Sequence, residues 1–207
     1  MLNERIGRGR EALERLRQDR NTARRVLRGI PVFVVNTRPD IDSGAVFARI
    51  DAALELIELH QPWTFRHLQR DFARILSCRY PCRGAYLPQE QTCIVELTFT
   101  VNPEFSLAQV AATILHEGMH ARLDRCGVNR AALSRAREER FCRRAEIEFG
   151  RVVPGGAPVV ERALASLAAA DEDVAPEIDW ELARRRVAEV DERSARTQAR
   201  PPESPER

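Results

Sequence analysis

Residues Ser106–Gly127 read SLAQVAATILHEGMHARLDRCG, and the five residues His116-Glu117-Gly118-Met119-His120 within them decide how the chain is read. On a helix, positions i and i+4 share a face, so both imidazoles can reach one metal ion. Glu117 projects beside that ion, where it can accept a proton from a water molecule. The flanking residues predict a helix. Ser106 and Gln109 match a capping box at its start. Ala108, Ala111, Ala112, Leu115, Met119 and Leu123 form an apolar stripe next to the histidine face. Gly127 stands where a C-terminal cap is expected. A glycine at 118 costs a helix about 1 kcal/mol relative to alanine, which points to function or to a strand packed closely there. His60 and His67, the other two histidines, have no partner at ligand spacing and read as surface or capping residues.

With 207 residues, the chain is long enough for one domain with a sizeable core. Its net charge of +2 selects no class of partner. The basic residues are all arginine, which reads as genomic base composition. Met1–Arg10 is charged, without the apolar run of a secretory signal, and no stretch approaches the roughly 18–20 apolar residues that span a bilayer. A cytoplasmic protein without a membrane partner is expected. Cys78, Cys82, Cys93, Cys126 and Cys142 are an odd number without metal-type CxxC pairs, so buried, reduced thiols are expected.

Residues 4–28 read as an amphipathic helix with nine arginines against four acidic residues. A solvated face with i,i+4 pairs such as Glu11–Arg15 explains it. No aromatic residue is interleaved for base stacking, so a nucleic-acid partner is not expected. Pro31–Asn36 reads as a strand, and Ser43 caps a helix to about His60. Pro62 starts another helix to about Cys78, with Phe65, Leu68, Phe72, Ile75 and Leu76 on one side. Tyr80–Pro88 is turn-rich, and Thr92–Val101 is strongly strand-like. Asn129 is a candidate cap for a helix from Arg130 to Phe149, with further helices at Val159–Ala170 and Asp179–Arg193. The proline-rich tail 194–207 is expected to be disordered. Residues 1–30 then form a basic N-terminal helix, 31–193 the main domain and 194–207 the tail.

A catalytic zinc site needs three protein ligands. After His120 the acidic candidates are Asp124, Glu138, Glu139, Glu146 and Glu148. A helix folded back after Gly127 would bring its acidic residues to the metal. Helical periodicity does not choose between Glu138, on a stripe with Cys142, Ala145 and Phe149, and Glu139, on a side with Ala132, Ala136 and Glu146.

HExxH followed by a glutamate on the next helix resembles the gluzincin branch of the zincin metallopeptidases. The 18 residues between His120 and Glu139 match the gap of the large zinc aminopeptidases. ILHEGMHARLD followed by REERFCRRAEIEF is similar to small bacterial metallopeptidase-like proteins. The resemblance covers roughly residues 84–149. It implies a mainly helical, single-domain α+β fold in which an edge strand precedes the HExxH helix and flanks the substrate. It also implies Zn2+ held by His116, His120 and Glu139, with Glu138 as second choice, and Glu117 as general base. Asp124 could orient an imidazole, and Tyr86, Tyr80 or Arg137 could assist the oxyanion. Arg122 departs from the apolar residue that the extended pattern prefers, and no GxMEN-like aminopeptidase motif is present.

The resulting expectation is a zinc-dependent peptide-bond hydrolase acting on a peptide or protein substrate. The alternative is a latent or non-catalytic zinc-containing binding module. In that case the N-terminal helix or the segment after Val153 would plug the cleft.

Overall fold

A computed structural model describes residues 22–128, 134–175 and 179–199. Arg28 and Gly29, with φ of 47° and 81°, make a two-residue hairpin turn of the kind that matches strand twist. The turn joins β1 (Thr22–Leu27) to β2 (Ile30–Val35) in an antiparallel pair. The expected basic helix is therefore corrected over residues 22–27. Its remaining part, up to residue 21, lies outside the described residues. The guanidinium of Arg28 pairs with Asp51, Glu55 and Glu58 at 3.2, 2.8 and 2.6 Å. Arg24 and Arg25 stack over Phe33 and Phe47. These three arginines serve the fold, with pattern and packing together overriding helix propensity.

Helix α1 (Ser43–His60) is capped one residue earlier than expected, by Asp42, whose carboxylate accepts from Gly44 N and Ala45 N. Helix α2 (Pro62–Asp71) starts at the expected proline but ends seven residues early, and Arg74–Cys78 is strand β3. β3 is buried on both faces, so its apolar residues lack the alternation that marks a half-exposed strand. The turn-rich stretch holds a short strand, β4 (Gly84–Leu87). β5 (Thr92–Glu96) ends sooner than its sequence suggests, and Leu97–Val101 forms the short helix α3. The Glu96 carboxylate caps α3 by accepting from Phe99 N, and is itself bound by Thr98 and Arg79.

The five strands lie in the order β1-β2-β3-β5-β4, parallel from β2 through β5 and antiparallel at both ends. β5 is thus interior, and the edge beside the HExxH helix is β4, which corrects the edge-strand expectation. The fold is α+β with a small mixed sheet. Alternation along the strands divides the core. Val32, Val34, Ile75, Cys93 and Val95 face α1, α2 and the HExxH helix, while Val35, Leu76 and Ile94 face a smaller cluster with Tyr80 and Leu87.

The HExxH helix is α4 (Leu107–Arg125), followed by α5 (Arg135–Val152), α6 (Ala157–Ala168), α7 (Asp171–Val174) and α8 (Trp180–Ala199). Residues 194–199 of the expected disordered tail are therefore helical, whereas 200–207 lie outside the described residues. The cap expected at Asn129 lies outside them too, and Ser134 caps α5 instead. On α8, Trp180 packs edge-on against Tyr80, and Asp191 accepts from Arg38 and Arg79, tying the helix to the sheet. No described helix is long and apolar enough to cross a membrane. The five cysteines form no disulfide.

Candidate metal centre

The helix that carries the two histidines is fixed at both ends by its own sequence. Ser106 and Gln109 form a reciprocal capping box. At the other end Gly127 takes φ 67°, Gly127 N donates to Asp124 O, and Val128 N donates to Leu123 O. This is the paired closure of a Schellman motif. Gly118 sits where α2 crosses: a methyl there would come 2.1 Å from Leu68 Cδ2. The close neighbour is thus a helix rather than the strand anticipated from the sequence. The helix is held from below by Leu68 and Phe72, and its histidine face turns towards α5.

Helix α5 runs back along α4 and delivers four side chains to that face. His116 Nε2 and His120 Nε2 lie 3.2 Å apart. Glu139 reaches both, at 3.2 Å from His116 Nε2 and 3.7 Å from His120 Nε2. Cys142 Sγ lies 3.6 Å from His120 Nε2. His116, His120 and Cys142 each offer a ligand atom within 4.8 Å of the others and could hold a metal ion. The far side of each ring is held as well. His116 Nδ1 donates to Glu146 and His120 Nδ1 donates to Glu138, both at 2.8 Å. An ionised carboxylate only accepts, so it keeps the ring proton on Nδ1 and turns Nε2 towards the shared point.

The site concentrates charge away from water. Glu146 is almost fully buried and accepts from Arg143 at 2.8 Å and Arg162 at 3.1 Å as well as from His116. Burial by itself would lower the His116 imidazole, but hydrogen bonds with Glu139 and Glu146 outweigh it and hold the ring at about 9. Burial would raise the Glu139 carboxyl, but its bond to His116 prevails and brings it to about 2. Glu146 is likewise held below its ordinary range, chiefly by His116 against the opposing effect of burial. Burial pushes the Cys142 thiol well up, and the carboxylates of Glu139, Glu117, Glu138 and Glu146 push it further.

The open side of the site is a cavity of about 650 Å³ lined by His116, Glu117, His120 and Glu139 and by β4. Gly84, the first residue of β4, lies against the buried Glu117: a methyl there would come 2.8 Å from Glu117 Oε1. Edge strand and glutamate therefore share one wall. Tyr86 also lines the cavity, but its hydroxyl donates to Asp124 at 3.4 Å. Asp124, expected to orient an imidazole, is exposed, and the two Nδ1 atoms are held by Glu146 and Glu138 instead. Tyr80 is buried against Trp180 and lines the same cavity, whereas Arg137 is exposed on α5 and is not among the lining residues. His60 and His67 lie elsewhere, on α1 and α2.

Sequence reasoning gave Glu146 no role beyond its place among the acidic candidates and missed Cys142, Arg143 and Arg162. A signal for two of these was present, since Glu138, Cys142 and Glu146 recur every four residues on one stripe of α5. The segment after Val153 contributes Arg162, Val174, Ala175 and Trp180 to the cavity. No family model, curated protein or solved structure matches this chain.

Proposed function

We propose that this protein is a zinc-dependent peptide-bond hydrolase of gluzincin type, with His116, His120 and Glu139 as metal ligands and Glu117 as general base. The observation that carries this reading is the convergence of two Nε2 atoms and one carboxylate, each imidazole being oriented by a second carboxylate behind it. Ligands in a tetrahedral zinc site with bonds of about 2.0–2.1 Å are separated by about 3.3 Å. The 3.2 Å between the Nε2 atoms and the 3.2 Å from His116 to Glu139 fit that spacing. Glu139 is the ligand read here because its carboxylate reaches both Nε2 atoms, with Cys142, 3.6 Å from His120 Nε2, as the competing third ligand. Two imidazoles and a carboxylate suit zinc.

When bound, zinc would supply Lewis acidity at this point. Glu117 has the position to take a proton from the attacking water and return it to the leaving amine. Glu138 and Glu146 hold the rings and their tautomers. The outer edge of β4 offers backbone groups to an extended peptide, which would lie beside Glu117 by strand addition. The test is hydrolysis of an unstructured peptide by zinc-loaded protein. Glu117→Gln should keep the metal and lose turnover, whereas equal turnover in that variant would remove Glu117 from the role.

The second reading, a latent zinc module, is favoured by one observation: Val174, Ala175 and Trp180 line the same cavity. In this state the segment after α6 would limit access, and releasing α8 would raise turnover.

A further inference from the structure

Beside the ligands, the cavity carries a second feature, a set of guanidinium groups. Arg83, Arg143 and Arg162 all line it. The carboxylate they share is Glu146, bound by Arg143 and Arg162 and already committed to His116. Arg83 lies over the rings of Phe99 and Phe105, at 5.3 and 4.5 Å from their centroids, and no described acidic side chain pairs with it. Arg83 is exposed at the cavity wall; partial desolvation first, then Arg162 and Arg143, disfavour its charge, and Glu146 opposes them. Among the described residues, the buried Nε of Arg143 and of Arg162 also have no hydrogen-bond partner. Arg83 directly precedes Gly84, the residue packed against Glu117. A charged fork thus lines the same cavity as Glu117, stacked over two aromatic rings.

On the hydrolase reading above, we propose that Arg83, backed by Arg143 and Arg162, binds a carboxylate of the peptide substrate. Planar guanidinium groups take a carboxylate through paired, charge-assisted hydrogen bonds. An anion here would also offset the mutual repulsion of the Arg83, Arg143 and Arg162 guanidinium groups. The carboxylate could belong to the peptide C-terminus or to an acidic side chain, and the chemistry recognised is the same. Arg83 is a substrate-binding residue in this account. Arg143 and Arg162 act through Glu146 and through the local field.

Binding to zinc-loaded Glu117→Gln, measured by calorimetry, separates the possibilities without turnover. The probes are acetyl-tetraalanine as free acid, the same peptide as C-terminal amide, and acetyl-Ala-Glu-Ala-Ala amide with its Gln counterpart. A carboxylate should tighten binding at least about tenfold over the matching neutral peptide. Arg83→Ala should abolish that preference while leaving the neutral peptides unchanged, and Arg83→Lys should restore part of it. Preference for the free acid alone assigns the C-terminus, and preference for the Glu peptide assigns a side chain. Equal binding of acid and neutral peptides, or a preference that survives Arg83→Ala, overturns the proposal. Turnover by the wild-type protein is scored separately. Carboxylate preference without hydrolysis would sink the hydrolase reading alone, and hydrolysis without preference would sink the carboxylate subsite alone.

Discussion

At the scale of single residues, the centre has the character of a charge cluster in which, on the proposed reading, a proton and a metal would compete for one place. His116 in the metal-free protein is held at about 9 against an ordinary 6.5, and Glu139 at about 2 against 4.5. The folded-state value of His116 is raised, so its contribution to stability is complete below pH 6.5 and is lost as the pH climbs through 9. The value of Glu139 is depressed, so its contribution is complete above pH 4.5 and is lost as the pH falls towards 2. These are two views of one interaction, and metal-free protein should gain most from it between about pH 4.5 and 6.5. Its melting temperature should fall between pH 6.5 and 9. A thermal scan showing a rise there would contradict the pairing. Zinc uptake near pH 7 should release a proton from His116, detectable as a buffer-dependent heat of binding. Glu138→Gln and Glu146→Gln should each weaken zinc by roughly 10–100-fold, because each loosens one ring. Glu139→Gln should weaken it more than Cys142→Ser, and the reverse order would make the thiol the third ligand. The histidine pair was legible from spacing alone. The partners behind the rings were not, because choosing among Glu138, Glu139 and Glu146 requires the rotation of α5 about its axis.

At the scale of elements, close approaches decide what the helices and β4 can tolerate. Gly118→Ala would drive a methyl towards Leu68, and overpacking of this kind costs about 1–3 kcal/mol. Gly84→Ala would set a methyl against Thr113 and Glu117, and on the proposed hydrolase reading should lower turnover more than it lowers stability because it displaces Glu117. Denaturant midpoints and rates measured on both variants separate the two effects. The capping box and Gly127 closure of α4 were readable because helix ends depend on local hydrogen bonds. β3 was not, since Ile75 and Leu76 continue the apolar spacing of Phe65 and Leu68, and only pairing with β2 and β5 makes them strand. α3 was hidden for the opposite reason: Leu97–Val101 is rich in β-branched and aromatic residues, and the Glu96 cap redirects it.

At the scale of the whole molecule, the sheet and α4 make one wall of the cavity, and α5 with the segment beyond it makes the other. α8 is held across the smaller core by Trp180 on Tyr80 and by Asp191 between Arg38 and Arg79. Asp191→Ala should loosen that helix. If α8 restricts access, turnover should rise, and unchanged turnover with increased protease sensitivity of residues 180–199 would show that access is not limited there. The central claim is that a metal belongs between His116 and His120. It is tested most directly by elemental analysis of the purified protein beside His120→Ala. The account predicts one zinc per chain, lost in the variant. Absence of stoichiometric metal from the wild-type protein, even after reconstitution with zinc, would contradict it.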